Sequence, residues 1–195
     1  MRSQKSCNKL KTSFLELLSQ SDGLPIRMTE LLKLAGVSKT TFYVYYENLD
    51  QLAFDLIDEQ LRELNAVLRL RRKNGEGESD YVVLTQWIEQ HWELLLLLNR
   101  SKYRSYLEQS LFQFLSEELI QRQRLLNGDL ESDSEQNSFL AYGYLGSLFS
   151  GLEENDVSKI AGYSAVLQKM IQLLPTKPQA TDGLFFPFRP ITQRS

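Results

Sequence analysis

The stretch Met28–Leu52, MTELLKLAGVSKTTFYVYYENLDQL, constrains the fold of this 195-residue chain more than any other. Its apolar spacing predicts a short helix over Thr29–Ala35, a break at Gly36 and a second helix from Ser38. The break is too short for a loop of independent shape, so the two helices must meet at a sharp corner. Glycine permits the backbone conformation of such a corner, and Val37 is expected to bury in it. Ser38 is placed to N-cap the second helix with its hydroxyl. Phe42 and Tyr46, four apart, then face inward. Lys39, Thr40, Val44 and Tyr45 face outward, with Thr41 and Tyr43 at the flanks. The pattern fits a helix-turn-helix, whose second helix enters the DNA major groove.

The rest of the chain reads as all-α. Leu10, Phe14, Leu17 and Leu18 predict a first helix over residues 5–19. Asn48 is placed to cap a long helix over 49–72, striped by Leu49, Leu52, Ala53, Leu56, Ile57, Leu61 and Leu64. The run NGEGES at 74–79 reads as a flexible acidic linker and marks a domain boundary. Further helices are expected over 80–99, 102–127, 138–153 and 156–174, with Pro175 and Pro178 ending the last. No alternating pattern long enough for a strand and no fixed-period repeat is present.

Composition narrows the function classes. A net charge of −3 argues against a protein that coats nucleic acid. The charge is uneven: residues 1–72 hold 11 Lys/Arg against 9 Asp/Glu, and residues 73–195 hold 11 against 16. Arg2, Lys5, Lys9 and Lys11 precede the first acid, Glu16. A mildly basic head on an acidic body fits a sequence-specific DNA binder, and an ordinary charged surface explains the same numbers. The single cysteine, Cys7, excludes an internal disulfide and a cysteine-based structural zinc site, and it suits a reducing cytoplasm. Lys5, Lys9 and Lys11 interrupt any secretory apolar run, and the longest aliphatic run, Leu94–Leu98, is far short of a membrane span. The chain is therefore expected to be cytoplasmic and not to engage a membrane.

The helix-turn-helix segment is similar to the DNA-binding domain of the TetR (tetracycline-repressor) family of bacterial regulators. The resemblance is carried by Ala35-Gly36-Val37-Ser38, by Thr41-Phe42-Tyr43, by Tyr45-Tyr46, and by Asn48 and Leu52 opening the next helix. It is close over residues 8–60 and rests beyond them only on helix count and length. It implies an N-terminal three-helix DNA-binding domain (1–48), a connecting helix (49–72), an effector-binding and dimerisation domain (80–175) and a tail (176–195). Base reading then falls to Lys39, Thr40 and Val44. Thr41, Tyr43 and Tyr45, together with Arg27 and Thr29 at the start of the preceding helix, fall to phosphate oxygens. Three positions depart from the family pattern. Leu49 stands where many relatives place a phosphate-binding lysine, Glu47 precedes it, and Leu32 stands where a small alanine is usual.

Beyond the head, Trp87, His91, Trp92, Tyr103, Tyr106, Phe112, Phe114 and Tyr142 give an aromatic bias. Trp87 and His91 share a helix face at i,i+4, and a pocket near Trp87, His91 and Tyr106 would suit a planar or cationic small molecule. The same residues at the same spacing also serve as plain core. Gly143 and Gly146, mid-helix, suggest close helix approach, and the family resemblance implies a homodimer through the last two helices. The apolar run Gly183–Pro190 is a candidate for docking on the body. There is one histidine, no G-x-S-x-G, no phosphate-cradling glycine loop and no H-E-x-x-H, so no catalytic, metal or cofactor site is expected. The expectation is a transcriptional regulator, a repressor released from a double-stranded operator by a small molecule. The alternative is a helical interaction module, an adaptor or antirepressor, that has lost DNA binding.

Overall fold

A computed structural model describes residues 2–21, 24–75, 80–127, 134–160, 162 and 165. The described residues are all-helical, without strands. Eight helices are bounded among them: α1 (Arg2–Gln20), α2 (Met28–Ala35), α3 (Lys39–Tyr45), α4 (Leu49–Lys73), α5 (Asp80–Gln90), α6 (Trp92–Asn99), α7 (Arg104–Asn127) and α8 (Ser134–Glu154). A helical turn follows at 158–160. The remainder of the helix expected at 156–174, and the tail at 176–195, lie outside the described residues.

Local chemistry sets several of these ends. Asn48 Oδ1 accepts from the Gln51 amide at 2.9 Å and starts α4, while the Gln51 side chain accepts from the Glu47 amide at 2.6 Å. Arg71, Arg72 and Lys73 occupy the last turn of α4, where cations oppose the negative helix end. Gly75 then leaves the helix at φ 80°, a conformation that favours glycine.

The helix expected over 80–99 is in fact two. Trp87 and His91 were placed on one unbroken helix, but α5 stops at Gln90 and α6 starts at Trp92, with His91 at φ −105° and ψ 14° between them. The His91 ring supplies a physical reason. Its Nδ1–H donates to the Trp87 carbonyl at 2.7 Å, the same oxygen that the His91 amide uses at 3.0 Å. A side chain that competes for a ladder carbonyl bends a helix without proline or glycine.

The helices enclose one continuous apolar core. It runs from Leu10, Phe14 and Leu18 through Phe42, Leu52 and Leu64 to Ile88, Leu107, Leu148 and Ile160. α1 packs on α2, α3, α4 and α6, and α7 packs on α4, α6 and α8. Tyr103 sits at the junction of head and body: its ring lies 5.8 Å from Phe14 and 6.4 Å from Phe54, and Lys102 beside it pairs with Asp50 at 2.5 Å. Head and body therefore share packing across the expected boundary.

Candidate nucleic-acid interface

The corner between α2 and α3 is built from backbone first. Gly36 adopts φ 61° and ψ 38°, and the Val37 amide reaches back to the Leu32 carbonyl at 3.2 Å. This is the hydrogen-bonding of a left-handed helix end, and it satisfies a carbonyl that α2 would leave open. Val37 and Leu32 are half-buried against the core, so the bulk of Leu32 is accommodated there. Ser38 Oγ accepts from the Thr41 amide at 3.1 Å and meets Thr41 Oγ1 at 2.8 Å. α3 is thus capped at its first turn, and one expected phosphate donor, Thr41, is already engaged with its cap.

Burial then splits α3 into two faces. Phe42 is 0 % exposed and Tyr46 is buried, whereas Tyr43 is 52 % and Val44 72 % exposed. Lys39 and Thr40 are exposed with them, and Lys39 Nζ lies 5.9 Å from the Tyr43 ring centre. Arg27 and Thr29 are exposed at the start of α2, whose N-cap has no side-chain hydrogen bond. One expectation about orientation needs correction. Tyr45, placed outward from the sequence, is half-buried against the core with its ring 6.4 Å from Tyr46. Tyr43, placed at the flank, projects instead. At 3.6 residues per turn Tyr45 lies only about 60° around α3 from Phe42, on the inward side, whereas Tyr43 lies about 100° away and Val44 nearly opposite.

Beneath α3 lies a polar relay that periodicity did not reveal. The Tyr46 hydroxyl donates to Asp55 Oδ2 at 3.1 Å and takes a hydrogen bond from the Cys7 thiol at 3.0 Å. Asp55 and Glu59 on α4 hold Lys11 of α1 at 2.8 and 2.6 Å, and Arg62 approaches the other Asp55 oxygen at 3.4 Å. Three helices meet at this group. Burial pushes the Tyr46 hydroxyl well above its ordinary value, and Cys7 and Asp55 push it further. Burial acts to raise the Asp55 carboxyl, but hydrogen bonds and charge from Lys11, then Tyr46 and Arg62, hold it below the usual carboxylate range. Lys11, counted from sequence with the basic N-terminus, is consumed here. The exposed cations of α1 to α3 include Lys5, Lys9, Arg27, Lys33 and Lys39.

The three residues expected to line an effector pocket are divided between two places. The Trp87 and His91 rings stack on each other with centres 4.5 Å apart at the α5–α6 break. Tyr106 turns to α4: its ring stacks on Phe54 at 3.8 Å, and its hydroxyl donates to the Asp58 carboxylate at 3.1–3.2 Å. The groove that Tyr106 lines lies between α4 and α7, and neither Trp87 nor His91 contributes to it. The reason is that α7 packs along α4, which turns the Tyr106 face away from α5.

Among the described residues no group of three metal-ligating side chains comes together, and no helix is long and apolar enough to cross a membrane. No protein-family model matches the chain, and no curated protein matches it.

Proposed function

We propose that the protein is a DNA-binding transcriptional regulator that works as a homodimer, a repressor released from its operator by a small molecule. The observation that carries this reading is the two-faced α3. Phe42 anchors it in the core while Lys39, Thr40, Tyr43 and Val44 project from a capped helix directly after a tight turn. Projecting side chains of these types suit groove recognition: a lysine donates to guanine O6 and N7, a threonine or valine methyl meets the thymine methyl, and a tyrosine hydroxyl donates to phosphate. The uncapped start of α2 adds amides for a phosphate, and Arg27 and Thr29 stand beside it. The likeness of the segment to TetR-family heads supports the same reading.

Dimerisation is supported by the outer face of α8. Phe139 and Tyr142 are 67 % and 61 % exposed, and a Cβ added at Gly143 or Gly146 would meet nothing within 4 Å. Large, mostly exposed aromatic groups, of which Tyr142 also touches the Phe112 ring at 4.3 Å, beside two open glycines suit the close approach of a second helix.

A second reading, a helical interaction module, is favoured by one pair of observations. Exposed Val44 and Tyr43 would also suit a protein partner, and Glu47 would repel a nearby phosphate. Selection of bound fragments from random DNA, followed by titration at two salt concentrations, separates the readings. A regulator yields a two-fold symmetric sequence and an affinity that falls with salt as phosphate counterions are released. Recovery of no preferred sequence assigns the chain to the second reading.

A further inference from the structure

α1 and the end of α2 border a groove of about 550 Å³. Leu34 and Ala35 form its apolar side, and Gly36 of the corner follows them directly. Lys5 and Lys9 of α1 supply its charge, and no carboxylate of the described residues lines it, on a chain whose net charge is −3. The two lysines stand about one turn apart on one side of α1, so their ammonium groups repel and weaken the helix. Both are exposed, and neither has an ion-pair partner among the described residues. Lys11, by contrast, is taken up by Asp55 and Glu59. Glu16, the first acid of α1, lies about 10 Å further along the axis than Lys9 and accepts from the Gln20 side chain.

Neutral donors complete the lining. Ser13 is 7 % exposed, and its hydroxyl has no hydrogen bond among the described residues. That hydroxyl is not sealed in the core and keeps its access to the groove. Asn8 and Thr12 add an exposed amide and an exposed hydroxyl. Ammonium groups beside amide and hydroxyl donors, with no acid among them, suit a phosphate. The groove also lies beside the recognition helix. Cys7, between the two lysines in sequence, meets the Tyr46 hydroxyl at 3.0 Å, which sets this stretch of α1 level with the end of α3.

We infer that this groove seats the sugar-phosphate backbone of duplex DNA on the flank of the half-site that α3 reads. The inference rests on the regulator reading and adds a contact from α1 to it. Lys5 and Lys9 pair with phosphates, Asn8, Thr12 and Ser13 donate to the free phosphate oxygens, and Leu34 meets the deoxyribose. These contacts carry no base information, so they raise affinity and leave sequence preference alone. Each ammonium at a phosphate releases a counterion, and the site is therefore measurable through salt.

The test titrates the full chain, at several salt concentrations, with the operator that the parent protein selects from random DNA. Lys5→Gln with Lys9→Gln should reduce the slope of log affinity against log salt by about 0.9 for each lysine in each bound subunit. The base preference and the thermal midpoint should not change. Ser13→Ala removes a neutral donor, so it should weaken binding about threefold per subunit and keep the slope. Lys73→Gln, in the last turn of α4, should alter neither. Trimming the operator to the bases that α3 reads should make the parent and the double variant alike. An unchanged slope for the double variant on an operator the parent binds, or an equal loss per lysine from Lys73→Gln, would overturn the groove and leave the regulator reading standing. Saturable calorimetric binding of inorganic phosphate that the double variant loses, with its DNA slope unchanged, would assign the groove to a free phosphate instead. A parent chain that selects no operator removes the regulator reading and this inference with it.

Discussion

Tyr43, Tyr45 and Tyr46 lie within four positions of one another and meet three environments. Tyr43 projects into solvent, Tyr45 packs half-buried, and Tyr46 is buried with its hydroxyl in the relay to Cys7 and Asp55. Each environment makes its own prediction. Tyr43→Phe should weaken binding to all DNA sequences alike by about 1–2 kcal/mol, the scale of a hydrogen bond to a charged group. Lys39→Ala should instead flatten preference at one base pair per half-site in a binding-site selection. An unchanged affinity for the first variant, or an unchanged profile for the second, removes that residue from the interface. The relay gives a pH prediction. The depressed Asp55 carboxyl contributes stability above its ordinary value of 3.8, and that stability is lost as pH falls through its lower folded value. For Lys11, burial acts to lower the ammonium but Asp55 and Glu59 outweigh it, so its value is raised. Its contribution is complete below 10.5 and lost as pH climbs through the folded value. Buried Tyr46, held neutral, begins to oppose folding once pH passes 10. Thermal midpoints should therefore fall outside the window from about pH 4 to 10. Asp55→Asn should be less stable at neutral pH but lose less on acidification. Parallel acid profiles for the two proteins would show that the relay is not what acid breaks.

At the level of elements, α3 depends on its two ends more than on its length. Seven residues are too few for a helix to persist alone, so the cap at Ser38 and the anchor at Phe42 must hold it. Ser38→Ala should cost about 1 kcal/mol in urea unfolding, and Asn48→Ala a similar amount at the start of α4. Gly36→Ala should cost roughly 1–2 kcal/mol through backbone strain alone, since an added Cβ there meets nothing within 4 Å. A neutral Gly36→Ala would mean that the corner relaxes out of the left-handed region. The α5–α6 break belongs to the same scale: a single imidazole beside a carbonyl redirects the chain where periodicity carries straight on.

In the whole molecule, the core of the head, with Leu10, Phe14, Leu31 and Phe42 fully buried, runs without a break into that of the body. Phe14, Tyr103 and Phe54 join α1, α4 and the start of α7 into one cluster. That cluster is the route by which the proposed effector-driven release would have to reach the base of α3. No described residue covers Phe139 or comes within 4 Å of a Cβ placed at Gly143 or Gly146 on the outer face of α8, and this supplies a test of assembly that does not disturb the described fold. Gly146→Glu places a charge in open space, so a monomer should tolerate it, yet it should abolish pairing through that face. Light scattering at micromolar concentration should report a dimer for the parent chain and a monomer for the variant, with equal helicity in both. A monomeric parent would remove the dimer from the proposed function.

The sequence by itself determined the all-α class, the α2–Gly36–α3 corner, the caps at Ser38 and Asn48, and the inward pair Phe42 and Tyr46. Each of those signals is completed within a few residues, so local sterics and one hydrogen bond are enough to write it. Only the tertiary structure decided the partners of polar groups on the inner faces. Cys7 meets Tyr46 and Lys11 meets Asp55 across α1, α3 and α4, and Tyr106 meets Asp58 rather than Trp87 and His91. Phe139 and Tyr142 are apolar positions of α8 that the described residues leave largely exposed, Tyr142 with one ring contact to Phe112 at 4.3 Å. Periodicity tells which face of a helix is apolar. It carries no information about which distant residue that face will meet, because helix packing angle and register are set by the sum of many side-chain contacts across the core.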